Sequence, residues 1–331
     1  MSALGAAVSV LGAGAWGTVL AGLAAENGSS VTLWARRGES ADRLNRERMH
    51  PALPGVSLHP GIVATDDLGA AARAATIAVA VPAQAVRSVC EAIAPLLSGP
   101  VALVIAAKGL EQASGLLMHE VARAAIAGAR PLILSGPGFA SEVGVGLPAA
   151  VTLAAGEEAL AARTAALFAR PTFRPYLSDD LTGVAVGGAV KNVLAIASGI
   201  VIGRGLGESA RAGLIARGVA ELSRFGTALG ARPQTMSGLS GLGDLVLTAT
   251  STRSRNLRFG VALGEGRTVA DLTAPGAALA EGYFSAPAVV ARARRHGVDM
   301  PLAQAVADIL SGQVTIDDAI ASLLDRPLTV E

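Results

Sequence analysis

Residues 7–18 read AVSVLGAGAWGT, and this stretch decides the fold. The apolar run over 7–11 stops at Gly12, the pattern of a buried strand. Gly12, Gly14 and Gly17 form a GxGxxG, and a helical pattern over 18–27 comes next, stopped by Asn27-Gly28. Each glycine has a physical task. The first permits a tight turn, the second lets the backbone approach a pyrophosphate, and the third lets helix and strand pack closely. The pyrophosphate then rests on free N–H groups at the positive end of the helix. Gly12, Gly14, Ala15, Trp16 and Gly17 are the expected cofactor cradle. A GxGxxG alone says little in a chain with 40 glycines; its place between the first strand and the first helix gives it weight.

Residues 31–35 (VTLWA) form the next expected strand. An acidic residue about 20 positions after the fingerprint would bind the ribose 2′-hydroxyl of NAD. Arg36 and Arg37 stand there instead. Guanidinium groups suit a 2′-phosphate and stack on adenine, so NADPH is the expected cofactor, with NADH possible. Further strands are expected at 76–81, 101–106, 131–136 and 149–154, with helices over 84–97, 114–128 and 157–169 between them. This alternation predicts a mostly parallel sheet with helices on both faces. From about residue 183 helical patterns dominate, at 184–202, 209–229, 253–264, 277–295, 302–311 and 316–324. The expected organisation is an α/β Rossmann-type domain over 1–182 followed by an all-helical domain over 183–331.

The 331 residues include 27 basic and 26 acidic ones, for a net charge of +1, which argues against a nucleic-acid partner. Cys90 is the single cysteine, and the four histidines (His50, His59, His119, His296) are scattered, so no metal is expected. The apolar stretch over 1–25 lacks the positive start of a secretory signal. Residues 184–202 are long enough to span a bilayer. Lys191 and Asn192 lie near their middle, however, and a lysine there costs roughly 2.5–3.5 kcal/mol on insertion. A buried helix without membrane insertion is expected, in a cytoplasmic protein.

Only Lys108 and Lys191 are lysines; the other 25 basic residues are arginines. Lysine offers a compact charge whose pKa falls on burial, whereas arginine stays protonated. Lys108 comes after a strand at the carboxyl edge of the sheet, where doubly wound folds bind ligands. Lys191 sits within an apolar helix, where a lysine needs a partner or a job. Asp244 stands in the glycine-rich run 241–248, either capping a helix or holding Lys191. Residues 251–256 (STRSRN) open a helix with hydroxyls, guanidinium groups and an amide, a composition suited to phosphate.

Together these motifs resemble the bacterial NAD(P)-dependent glycerol-3-phosphate dehydrogenases. The match runs through VLGAGAWGT (10–18), AAKGLE (106–111), LSGPGFASEV (134–143), GGAVKNVLAI (187–196), GLGDLVLT (241–248), STRSRN (251–256) and EGY (281–283). The resemblance implies reversible hydride transfer between NAD(P)H and dihydroxyacetone phosphate, giving sn-glycerol 3-phosphate for phospholipid synthesis. It implies that Lys191 gives and takes the carbinol proton, with Asp244 nearby and Lys108 beside substrate and nicotinamide. It places substrate at Lys108, Gly136, Gly138, Lys191, Asn192, Asp244, Thr248, Ser254, Arg255 and Asn256. It adds Lys108, Ala140, Arg255, Leu279 and Glu281 to the cofactor contacts, and it suggests a homodimer. The chain departs from the family pattern at Gly138 and Ala15, where hydroxyl residues are usual, and at Ala52, where a tyrosine is usual. A β-hydroxy-acid dehydrogenase of the same layout would have less use for a phosphate site at 254–256. A non-catalytic NADPH sensor would be indifferent to loss of Lys191.

Overall fold

Eight strands form one sheet in the computed structural model, which describes residues 6–327. They are β1 (Ala7–Leu11), β2 (Ser30–Trp34), β3 (Ile62–Thr65), β4 (Thr76–Val79), β5 (Ala102–Ile105), β6 (Arg130–Ser135), β7 (Ala149–Ala155) and β8 (Phe173–Ser178). Their order is β3-β2-β1-β4-β5-β6-β7-β8. Every neighbouring pair is parallel except β6 with β7. The chain runs outward from β1 to β3, then returns to β4 on the other side of β1 and runs outward again. The carboxyl ends of β1 and β4 therefore flank the point where the winding reverses, the ligand crevice of open α/β sheets.

The helices of this unit are α1 (Ala15–Glu26), α2 (Gly38–Glu47), α3 (Leu68–Ala71), α4 (Val86–Ile93), α5 (Met118–Ala125), α6 (Ala140–Val143) and α7 (Glu158–Phe168). α1 packs against α6 and α7, and α4 against α5. The central strands are buried at consecutive positions, as at Leu103, Val104 and Ile105. That is why they read as continuous apolar runs. The sequence pattern misses two strands, β3 and β8, and these are the two edges of the sheet. Val63 in β3 and Tyr176 and Leu177 in β8 are exposed, and Pro175 interrupts β8. An edge strand buries less and tolerates proline, so its apolar signal is diluted.

Contacts divide the chain into two compact units, one of residues 1–108 and 116–185, the other of residues 109–115 and 186–331. The second contains most of α8 (Leu181–Gly203), then α9 (Glu208–Ala228), α10 (Pro233–Met236), a π-helical turn at Leu239–Gly243, α11 (Asp244–Thr250) and α12 (Arg255–Gly264). α13 (Val269–Thr273), α14 (Glu281–Arg295), α15 (Pro301–Ser311) and α16 (Ile316–Leu324) complete it. No strand occurs after Ser178 among the described residues. α8 alone among the described helices is long and apolar enough to cross a membrane, and 94% of its most apolar window is buried inside the fold.

α8 meets α12 backbone to backbone. A Cβ on Gly199 would overlap the Leu257 carbonyl, one on Gly203 the Val261 carbonyl, and one on Gly260 the Ile196 carbonyl. Paired small residues four apart permit this close crossing. Gly187 lies as tightly under the Ser240 carbonyl, and Gly282 at the start of α14 lies on the Asn192 carbonyl. Three separate segments thus reach α8 through glycine. Elsewhere in the unit, buried Glu221 of α9 accepts from Leu302 N at 2.7 Å and Ala303 N at 3.3 Å, at the amino end of α15. Burial pushes its carboxyl up to about 7, against those hydrogen bonds.

Candidate active site

In the α/β unit the three fingerprint glycines occupy three different environments. Gly12 has φ +113°, and a Cβ there would stand 2.8 Å from the carbonyl of Ala80, just past β4. A Cβ on Gly17 would overlap the Gly12 carbonyl, so α1 starts directly on the turn. A Cβ on Gly14 would meet nothing within 4 Å. Gly14 caps α1 in extended conformation without a side-chain hydrogen bond, leaving the first N–H groups of the helix for an outside acceptor. Space and donors therefore coincide at Gly14, as a dinucleotide pyrophosphate requires. Ala15 and Trp16 come next, half-buried, and the Trp16 ring stands 6.4 Å from that of Phe173.

Arg36 and Arg37 are exposed just beyond β2, with Arg37 at the cap position of α2. A residue the sequence pattern did not single out joins them. The Asp66 carboxylate, past β3, lies 2.7 Å from where a Cβ of Gly38 would be. Trp34 Nε1 donates to the Asp66 carbonyl at 3.1 Å. Another such residue is His50, which sequence reasoning weighed only as a metal ligand. Its imidazole hydrogen-bonds the backbone of Ala13, inside the fingerprint, and its Nδ1 accepts from Ala52 N at 3.1 Å. Burial holds its pKa below the usual value. Neither residue lies in a periodic or motif position, so only tertiary packing reveals them.

Lys108 lies beyond β5, and its Nζ donates to the Gly136 carbonyl at 2.9 Å, just past β6. Gly138 is on the same loop; a Cβ there would make ordinary contact with Trp16 at 3.6 Å. Ala140 is the first residue of α6. The structure thus brings Lys108 to Gly136, and Gly138 to the fingerprint tryptophan.

In the helical unit a second cluster surrounds α8. Lys191 Nζ lies 3.1 Å from Asp244 Oδ1 and donates to Thr248 Oγ1 at 2.9 Å. Thr248 in turn donates to Asp244 Oδ1 at 3.3 Å. All three are buried. Asp244 is the first residue of α11, whose cap position is Gly243 without a side-chain hydrogen bond. Of the two readings of Asp244, the contact with Lys191 is present, while the cap position of α11 belongs to Gly243. One helical turn separates Asp244 from Thr248, so both face the lysine.

The next residue of α8 ties in two more helices. Asn256 Nδ2 donates to Asn192 Oδ1 at 2.8 Å, and Gly282 N donates to Asn256 Oδ1 at 2.9 Å. Ser254 caps α12 by accepting from Leu257 N at 3.2 Å, which leaves its O–H as a donor. The Asn256 amide keeps a second N–H for the same reason. Arg255 between them is exposed. These donors stand at the amino end of α12, an arrangement whose chemistry suits an anion. Leu279 is half-buried in the segment before α14, and Glu281 opens that helix. No group of three or more His, Cys, Asp or Glu that could hold a metal occurs among the described residues.

Residues 7–161 match the family described as NAD-dependent glycerol-3-phosphate dehydrogenase N-terminus, and residues 180–321 the corresponding C-terminus. The chain is 53% identical over 324 residues to the glycerol-3-phosphate dehydrogenase [NAD(P)+] of Bradyrhizobium diazoefficiens, covering 98% of each chain. It is 52% identical to the enzyme of that name from Caulobacter vibrioides, again over 98% of each. The crystal structure of glycerol-3-phosphate dehydrogenase from Coxiella burnetii superposes with a TM-score of 0.92 at 36% identity, over 97% of this chain and 99% of that one.

Proposed function

The chain belongs to the NAD-dependent glycerol-3-phosphate dehydrogenase family, and on that premise we propose a role for each side chain of the two clusters. The reaction is the reversible reduction of dihydroxyacetone phosphate to sn-glycerol 3-phosphate with a nicotinamide cofactor. The bound cofactor supplies or accepts the hydride. The rest falls to the protein.

Lys191 is the acid–base group. Reduction of the carbonyl develops charge on its oxygen, and a buried ammonium stabilises that charge and delivers the proton. Asp244 and Thr248 hold Nζ in place, since both accept or relay hydrogen bonds at that atom. The buried Lys191–Asp244–Thr248 cluster is the observation that carries this reading. The substrate phosphate is held by Ser254, Arg255 and Asn256, and its binding energy orients the carbonyl. Lys108, Gly136, Gly138 and Asn192 line the substrate. The pyrophosphate lies over Gly12–Gly17, with Ala140, Leu279, Glu281 and Arg255 as further cofactor contacts.

Arg36 and Arg37 favour NADPH, while the carboxylate of Asp66 nearby suits a ribose hydroxyl and keeps NADH usable. Replacing both arginines by aspartate lowers kcat/KM for NADPH relative to NADH; an unchanged ratio overturns the preference. A homodimer is supported by the exposed Ile202 and Leu206, next to the lightly buried first half of α9, and sedimentation tests it. A cytoplasmic setting accords with the single cysteine, Cys90, whose buried thiol is pushed up to about 11.

The deciding assay monitors NADPH oxidation with dihydroxyacetone phosphate beside unphosphorylated dihydroxyacetone. Turnover confined to the phosphate ester supports the roles of residues 254–256; equal turnover of both removes them. Lys191→Arg abolishes turnover and leaves NADPH affinity within about threefold, because arginine cannot cycle its proton near neutral pH.

A further inference from the structure

Lys108 stands at one end of a seven-residue strap. Residues 109–115 pack within the helical unit, although the chain on either side of them belongs to the α/β unit. The strap has a firm build of its own. Leu110 is fully buried and Glu111 nearly so. Ser114 Oγ donates to Glu111 Oε2 at 2.5 Å, and Gly115 N donates to the Glu111 carbonyl at 2.7 Å, closing a turn.

Two arginines of α14 grip its far end. Arg292 Nη1 donates to the Gly115 carbonyl at 2.9 Å, and Arg295 Nη2 reaches the Ser114 carbonyl at 3.5 Å. Gly115 has φ +73°, and a Cβ there would stand 2.5 Å from Arg295 Nη2. A side chain there would be strained by the positive φ and would push the guanidinium off the strap backbone. Consecutive carbonyls are thus held by two side chains that play no part in the clusters described above.

We propose that Arg292 and Arg295 are positioning residues for Lys108, a proposal that rests on the reading of Lys108 as a substrate and cofactor contact. Strand β5 ends at Ile105, so the backbone of Lys108 lies outside the strand's own pairing. Its ammonium is anchored on the Gly136 carbonyl, and the next residue, Gly109, already belongs to the strap. On this reading the strap restrains the Lys108 backbone, and the arginines fix the strap. Loosening it moves the Lys108 amine relative to the reacting groups while leaving the cofactor cradle intact.

A double-mutant cycle tests this. Arg292→Ala and Arg295→Ala, singly and together, are placed in the natural chain and in Lys108→Ala, with kcat, KM, thermal midpoint and NADPH affinity measured for each. The paired arginine substitution is expected to lower kcat by about tenfold in the natural chain, as small misplacements of catalytic groups do. In Lys108→Ala it is expected to change kcat by less than about twofold, since groups acting through one residue are not additive. Arg292→Lys, which keeps one N–H for the Gly115 carbonyl, is expected to recover part of the loss. An equal loss of kcat in both backgrounds overturns the proposal, because the arginines then act elsewhere. A lower thermal midpoint with unchanged kcat also overturns it, making the grip merely structural. Full activity of Lys108→Ala removes the reading of Lys108 itself, and the proposal with it.

Discussion

Lys191 Nζ and Asp244 Oδ1 face each other at 3.1 Å with both side chains withdrawn from solvent. A buried ion pair gains little over an apolar pair, but removing one member leaves the other charge uncompensated. Asp244→Ala should therefore destabilise the chain by about 3–5 kcal/mol in thermal or denaturant unfolding. Thr248→Val, which removes only a neutral hydrogen-bond partner, should cost about 1–3 kcal/mol. Equal, small losses for the two variants would mean that the lysine is not held as a charge.

The fingerprint glycines allow a sharp pair of substitutions. Gly14→Ala places its methyl in open space, so the thermal midpoint should stay within a degree or two while NADPH affinity falls about tenfold or more, through lost backbone approach. Gly17→Ala drives its methyl into the Gly12 carbonyl and should destabilise the fold itself by about 1–3 kcal/mol or more. Titration calorimetry and thermal unfolding separate the two effects. A Gly14→Ala chain that binds NADPH normally would remove the cradle from the pyrophosphate.

Glu221 predicts a stability change with pH. Its folded pKa is raised from 4.5 to about 7, mainly by burial, with Asp299 adding to the rise and Arg224 opposing it. A raised carboxyl pKa means that the unfolded chain ionises first. The group's contribution is whole below about 4.5 and is lost as pH rises through about 7. The stability difference between the natural chain and Glu221→Gln should fall by roughly 2–3 kcal/mol between pH 5 and pH 8. A difference that grows with pH would show the amino end of α15 outweighing the burial.

The crossing of α8 and α12 predicts a coupled loss. Gly199→Ala and Gly260→Ala each force the helices apart and should cost about 1–3 kcal/mol or more of stability. α12 carries Ser254 and Asn256 at its first turn, so KM for the phosphate substrate should rise as well. Gly213→Ala on α9, where a Cβ meets nothing within 4 Å, is the control and should gain stability. An unchanged KM in the crossing variants would show that the phosphate donors do not depend on helix spacing.

The interior of the sheet was legible because its strands are buried on both faces and therefore write unbroken apolar runs. The edges were not, since β3 and β8 bury only alternate or single residues. The scarcity of lysine pointed to Lys108 and Lys191, and the structure places each against a specific oxygen. His50, Asp66 and the two α14 arginines that hold the 109–115 strap carried no such mark. Their placement depends on contacts between residues far apart in the chain, or on a turn that only packing defines. Asp244 shows the intermediate case. Its sequence allowed two local roles, and only the distance to α8 separates them.

The glycine seams of α8 also bear on how the chain is made. Where this helix meets α12 and α14, backbone made later in the chain packs directly on it at the glycines. α12 begins about 50 residues after α8 ends, and α14 nearly 80. At about 5–20 residues per second, a ribosome would leave this long apolar helix without its covering partners for roughly 3–16 s. During that interval it presents the length and hydropathy of a bilayer-spanning segment. Synthesis rate through residues 204–295, and the presence of a holdase, should therefore govern the yield of folded protein more than substitutions elsewhere on the surface.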